Sequence, residues 1–133
     1  MSLGIAQAAY ADAHDYSRQR EQFGVSIENH QSIAHMLADM QVGLYAGRLV
    51  LDDAARLADA QTRSGVETSM AKLFTTETAK TIVLDAQTVM GAYGYAKDFD
   101  CERYVRDILA MPIIGGSSAI QRNNIHKWSR PRG

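Results

Sequence analysis

Cysteine occurs once and proline twice in 133 residues, and charge of neither sign prevails, with 14 Lys plus Arg against 15 Asp plus Glu. Each scarcity excludes something. A lone Cys101 closes no internal disulfide, and the sequence lacks CxxC or HExxH spacing, so neither a disulfide scaffold nor a metal centre is expected. A formal net charge of -1 with the two signs interspersed gives no patch to steer the chain to nucleic acid or an anionic membrane. No apolar run approaches the roughly 20 residues that span a bilayer, and no basic segment followed by an apolar one opens the chain. A soluble protein is expected, with the reducing cytoplasm as its simplest compartment.

What is present is helical spacing. The prolines stand at Pro112 and Pro131, so nothing interrupts the chain before Pro112. The length suits one domain. A first helix is expected from about Leu3 to Gln22, with Ile5, Ala9, Ala13 and Tyr16 on one face and Gly24 as its stop. A long second helix starts near Asn29 or His30 and carries Ile33, Leu37, Met40, Leu44, Gly47, Leu51, Ala54 and Ala58 as a packing seam.

After the break at Thr62-Arg63-Ser64-Gly65, Ser64 and Glu67 offer a capping box to a third helix, with Met70, Phe74, Leu84 and Met90 inward and Gly91 at its end. Asp98 or Asp100 can cap a short helix from Cys101 to about Ala110, and Ser118 with Gln121 suggests a capping box for a last helix through Trp128. The fold class is therefore all-α, an up-down four-helix bundle with a short additional helix. Residues 3–133 form the expected domain, Met1 and Ser2 read as added residues ahead of a natural protein that continues upstream, and 130–133 read as a frayed tail.

Four stretches stand out, and each has an ordinary structural explanation. Arg18-Gln19-Arg20-Glu21-Gln22-Phe23-Gly24 puts cations at a helix C-terminus and an aromatic in a turn, followed by His30-Gln31. Thr88-Val89-Met90-Gly91-Ala92-Tyr93-Gly94-Tyr95 reads as a helix end with an aromatic loop. Glu102-Arg103-Tyr104-Val105-Arg106-Asp107 is a run of charges that can pair along a helix. Ile113-Ile114-Gly115-Gly116-Ser117-Ser118 is a glycine loop before a serine-capped helix.

In order and spacing these stretches together resemble the C-terminal helical domain of the acyl-CoA dehydrogenases. The resemblance implies an FAD-dependent oxidoreductase acting on acyl-CoA thioesters, which removes the α-proton while the β-hydrogen leaves as hydride to the flavin. It also implies a homodimer or homotetramer, an electron-transfer flavoprotein-like acceptor, and two further domains. The fragment alone would be inactive.

Residue by residue, the resemblance implies that Arg20, Gln22, Phe23, His30 and Gln31 contact the pyrophosphate or adenosine of FAD held mainly by a neighbouring subunit. Thr88, Gly91 and Ala92 fall where the family has its adenosine contacts, with Thr88 in place of a glutamine and Ala92 in place of a glycine. Gln87 lies about 100° round the helix from that position. Ser117 aligns with a threonine that helps hold the flavin, and Ile114, Gly115 and Gly116 shape the acyl pocket.

Gly115 stands where many members have the glutamate that acts as catalytic base, so no catalytic residue is expected in this chain. Branches resembling isovaleryl-CoA and long-chain acyl-CoA dehydrogenases carry that glutamate on the first helix of the domain, which here falls about two helical turns before Leu3. The rival readings are a non-catalytic helical oligomerisation module and a related flavin oxidase, reductase or monooxygenase.

Overall fold

A computed structural model describes residues 1–60 and 65–129. Helices α1 (Ser2–Gln19), α2 (Gln31–Asp59) and α3 (Gly65–Met90) run up, down and up. The single turn α4 (Ala92–Tyr95), α5 (Cys101–Ala110) and α6 (Ser118–Ser129) complete the chain. Helix α3 is the hub: α1, α2, α4, α5 and α6 all pack on it, while α5 also touches α1. The all-α bundle expected from the spacing is the observed architecture. No helix among the described residues is long and apolar enough to cross a membrane.

The core is built from small side chains at close approach. Ala6, Ala9 and Ala13 of α1 and Ala79, Val83 and Ala86 of α3 are fully buried, with Cys101 and Ile108 of α5 joining the same cluster. Glycine extends this on α2. A β-carbon on Gly43 would stand 2.9 Å from Thr78 Cγ2, which lets α2 lie directly against α3. Buried hydroxyls that such tight contacts trap turn back on their own helices: Thr75 donates to Ala71 O at 2.7 Å and Thr76 to Lys72 O at 2.9 Å.

Several expectations need correction. Helix α1 stops at Gln19 rather than Gln22, because Arg20 turns extended and the chain enters a hairpin of β1 (Glu21–Gln22) and β2 (Val25–Ser26). Gly24 therefore serves this hairpin, not a helix cap. On α2 the seam holds at Leu37, Met40, Leu44, Gly47 and Ala54, with Ile33 half-buried, but Leu51 and Ala58 are exposed.

On α3 Met90 is buried as expected, whereas Met70, Phe74 and Leu84 point outward. Its buried positions are instead Ser69, Ala71, Thr75, Thr76, Ala79, Ile82, Val83, Ala86 and Val89, because a central helix is covered on several sides by small residues. The box of Ser118 with Gln121 does not form: Ser117 Oγ accepts the Ile120 N–H at 3.4 Å, so the cap is one residue earlier. Asp100 is the N-cap residue of α5 by position, but its carboxylate pairs with Arg103 at 3.2 Å instead of capping. The proposed box at Ser64 and the tail at 130–133 lie outside the described residues.

Candidate functional site

The residues singled out in the sequence gather in two places. The first is the end of the bundle where α1 stops, α2 starts and α3 stops. The hairpin pairs Glu21 with Ser26 and Gln22 with Val25, leaving Phe23 and Gly24 as a two-residue turn. Both have positive φ, 56° and 83°, the pattern of a type I′ turn. Gly24 adopts it freely, while Phe23 is held there against its steric preference.

The Phe23 side chain is 94% exposed, touching the edge of His30 at a ring separation of 6.0 Å. His30 Nε2 lies 3.3 Å from Gln22 O, which ties the hairpin to the start of α2. Gln31 opens that helix on the surface. Arg20 is exposed and has no partner for its guanidinium among the described residues, although its carbonyl accepts the Ile27 N–H at 2.8 Å. Gln22, Phe23 and the half-buried His30 are thus joined by contact, with the exposed Arg20 and Gln31 next to them along the chain.

The end of α3 lies beside it, since Tyr16 of α1 packs on Tyr93 at 5.6 Å and Tyr93 meets Phe99 edge-on at 5.4 Å. Gly91 takes φ 57° and ψ -130°, a conformation closed to side chains, and turns the chain into α4. Ala92 is an ordinary helical residue, so its methyl introduces no backbone strain. Gly94 is obligatory, because a β-carbon there would fall 2.8 Å from Gln87 O. Gln87 lies under α4 with its amide 3.5 Å from Gly94 O, while the exposed Thr88 donates to Leu84 O at 2.9 Å.

The second place is the loop between α5 and α6, and it is remote from the first: along α3, Gly91 is about 21 Å from Glu77, which the loop touches. Gly115 and Gly116 have φ 64° and 93°. A β-carbon on Gly115 would meet nothing within 4 Å, whereas on Gly116 it would fall 2.6 Å from Gln121 Nε2, whose amide donates to Gly116 O at 3.3 Å. Ile114 is half exposed. Ser117 accepts from Ile120, and its hydroxyl keeps a proton to donate elsewhere.

Two residues that the sequence reading did not select hold this loop. Lys72 Nζ donates to Met111 O at 3.1 Å, and Ser118 Oγ donates to Glu77 Oε1 at 2.5 Å. The Ser118 bond, with Lys80 at 3.5 Å, holds the Glu77 carboxyl below its ordinary range against the opposing effect of burial. Their signal in the sequence was a lysine and a glutamate among the small and apolar positions of the third helix. The charged run of α5 behaves as its ordinary explanation says: Arg106 pairs with Glu102 at 3.2 Å.

Residues 1–129 match the family described as acyl-CoA dehydrogenase, C-terminal domain. The chain belongs to the acyl-CoA dehydrogenase family. Benzylmalonyl-CoA dehydrogenase of Aromatoleum aromaticum is 43% identical over 127 residues, which cover 96% of this chain and 34% of that protein. Caffeyl-CoA reductase-Etf complex subunit CarC of Acetobacterium woodii is 39% identical over 121 residues, covering 91% of this chain and 32% of the relative. Among solved structures, butyryl-CoA dehydrogenase from Megasphaera elsdenii superposes with a TM-score of 0.93 at 33% identity, over 96% of this chain and 33% of that one. The acyl-CoA dehydrogenase domain described here spans about a third of the length of these relatives.

Proposed function

We propose that this domain is the C-terminal part of a longer FAD-dependent acyl-CoA dehydrogenase, to which it contributes a subunit interface, part of two FAD sites and one wall of the acyl pocket. The observation that carries this reading is Phe23, an aromatic ring held outward by a left-handed backbone in the hairpin that follows Arg20, whose exposed guanidinium has no partner among the described residues. A folded protein keeps such a cost where something outside the chain uses it.

The residues fit a dinucleotide. Arg20 offers a planar fork of donors to a pyrophosphate, and the start of α2 at Gln31 adds backbone N–H groups and the positive end of a helix dipole. Phe23 offers a flat apolar face to a base, with His30 bracing it and Gln22 fixed beside it. Gly91 and Ala92 let a ligand approach the backbone, and the Thr88 oxygen remains an acceptor. When bound, FAD would supply the acceptor for the hydride that leaves the β-carbon.

The separation between hairpin and glycine loop supports service to two cofactors, the hairpin to a neighbour's and Ser117 to the domain's own. At the loop, Ile114 lines the acyl chain while Gly115 and Gly116 leave it room. No carboxylate in that loop can take the α-proton. We assign that role to a glutamate ahead of Leu3 in the complete protein, with an electron-transfer flavoprotein-like acceptor, a homodimer or homotetramer, and a cytoplasmic setting.

In the full-length protein, Arg20→Ala is expected to weaken FAD retention about tenfold, the scale of one charge-assisted contact. Flavin content after gel filtration measures it. Undiminished occupancy removes Arg20 from the site, and a full-length wild type that binds no flavin leaves the helical assembly module as the function.

A further inference from the structure

The geometry points to Lys72 and Glu77 as positioning residues that anchor the two ends of the 111–117 loop to α3 and so set where its acyl-facing wall stands. The inference rests on the reading that Gly115 and Gly116 face the acyl chain. Lys72 reaches Met111 O, the C-cap carbonyl of α5, where an ammonium meets the negative end of a helix dipole. Glu77 accepts a hydrogen bond from the hydroxyl of Ser118, the first residue of α6, where a carboxylate meets the positive end.

The two anchors lie about 7.5 Å apart along α3, and each carries the charge that suits the helix end it touches. Lys80 braces the Glu77 carboxylate, and Ser118 N–H closes the loop on Pro112 O at 2.9 Å. Between the anchors the loop is held by its own neighbours, with the Ile113 and Ile114 N–H groups on Ala110 O at 3.0 Å and Gln121 on Gly116 O at 3.3 Å, and among the described residues no other bond in it reaches α3. Two left-handed glycines stand in series and a β-carbon on Gly115 would meet nothing within 4 Å, so the contacts that tie this wall to α3 are those at its ends.

Three variants of the full-length protein test this: Lys72→Met, Ser118→Ala, and Ser118→Thr, which restores the hydroxyl. Amide hydrogen exchange at 113–117 is expected to accelerate about tenfold in the first two and to return to the wild-type rate in the third. A titration with saturated acyl-CoA thioesters, followed by flavin absorbance, is expected to show affinity falling about tenfold in the same two variants, with flavin content kept. Wild-type exchange in Lys72→Met and Ser118→Ala overturns the anchoring. Faster exchange with unchanged acyl-CoA affinity overturns the positioning role. A wild type whose flavin ignores every acyl-CoA overturns the acyl-facing reading, and the exchange data still decide the anchoring.

Discussion

Phe23 occupies a backbone conformation that costs a bulky residue about 1–2 kcal/mol, and the ring it carries recovers little of that from a single edge contact with His30. Asparagine tolerates positive φ, and Asn-Gly is the preferred pair for a two-residue type I′ turn. Phe23→Asn is therefore expected to raise stability by up to about 1 kcal/mol while lowering flavin retention. A melting curve read beside bound flavin checks both. A variant that melts lower would show that the ring packs for the benefit of this domain itself. Gly24 illustrates why the turn was hidden in the sequence: a left-handed glycine serves a helix stop and a hairpin equally well, and nothing in the residue type of Phe23 announces a positive φ.

At the scale of elements, the order of the three long helices and the two short ones after them followed from spacing, but the single turn α4, read as an aromatic loop, the hairpin and the inward face of α3 did not. A peripheral helix such as α2 shows its buried side as a stripe, and there Leu37, Met40 and Leu44 were readable. Helix α3 is enclosed on several sides by neighbours pressed close, so alanine, serine and threonine are buried and the larger Met70, Phe74 and Leu84 lie outside. Side-chain size misled where crowding set the rule. Lys72 and Glu77 escaped for a related reason, since their partners Met111 and Ser118 are distant in sequence.

The contact of α1 with α5 carries a prediction of its own. Asp12 is raised above its ordinary 3.8 by lost hydration and then by Asp100 and Asp15, with a hydrogen bond from Tyr104 opposing them. The folded state thus holds this proton more tightly than the unfolded one, and stability falls as pH climbs from 3.8 through the raised value. Asp12→Asn keeps an acceptor for Tyr104 and removes the charge. At neutral pH it is expected to raise the melting temperature by about 1–2 °C, with the gain gone in acid below the ordinary aspartate range. Melts at neutral and at acid pH measure the difference, and an equal gain at both would mean that the Asp12 charge is not its source.

For the whole molecule the surface is too large. A folded monomer of 14.6 kDa is expected to expose about 6,900 Å², yet this chain exposes 8338 Å². The excess of about 1,400 Å² exceeds the roughly 800 Å² that each partner contributes to a standard interface. Part of it is apolar and ordered: Val42, Tyr45 and Leu49 are 67%, 68% and 53% exposed, and their spacing aligns them along one side of α2. A stripe of that kind on a stretch of about two helical turns favours a partner over water. The 133-residue chain on its own is expected to associate, with mass rising with concentration in sedimentation. Tyr45→Glu sets a charge in the middle of the stripe and is expected to shift that association at least tenfold toward monomer, about 1.4 kcal/mol, without lowering the melting temperature of the monomer. A wild type that stays monomeric at high concentration would instead assign the stripe to the segments by which its relatives are longer.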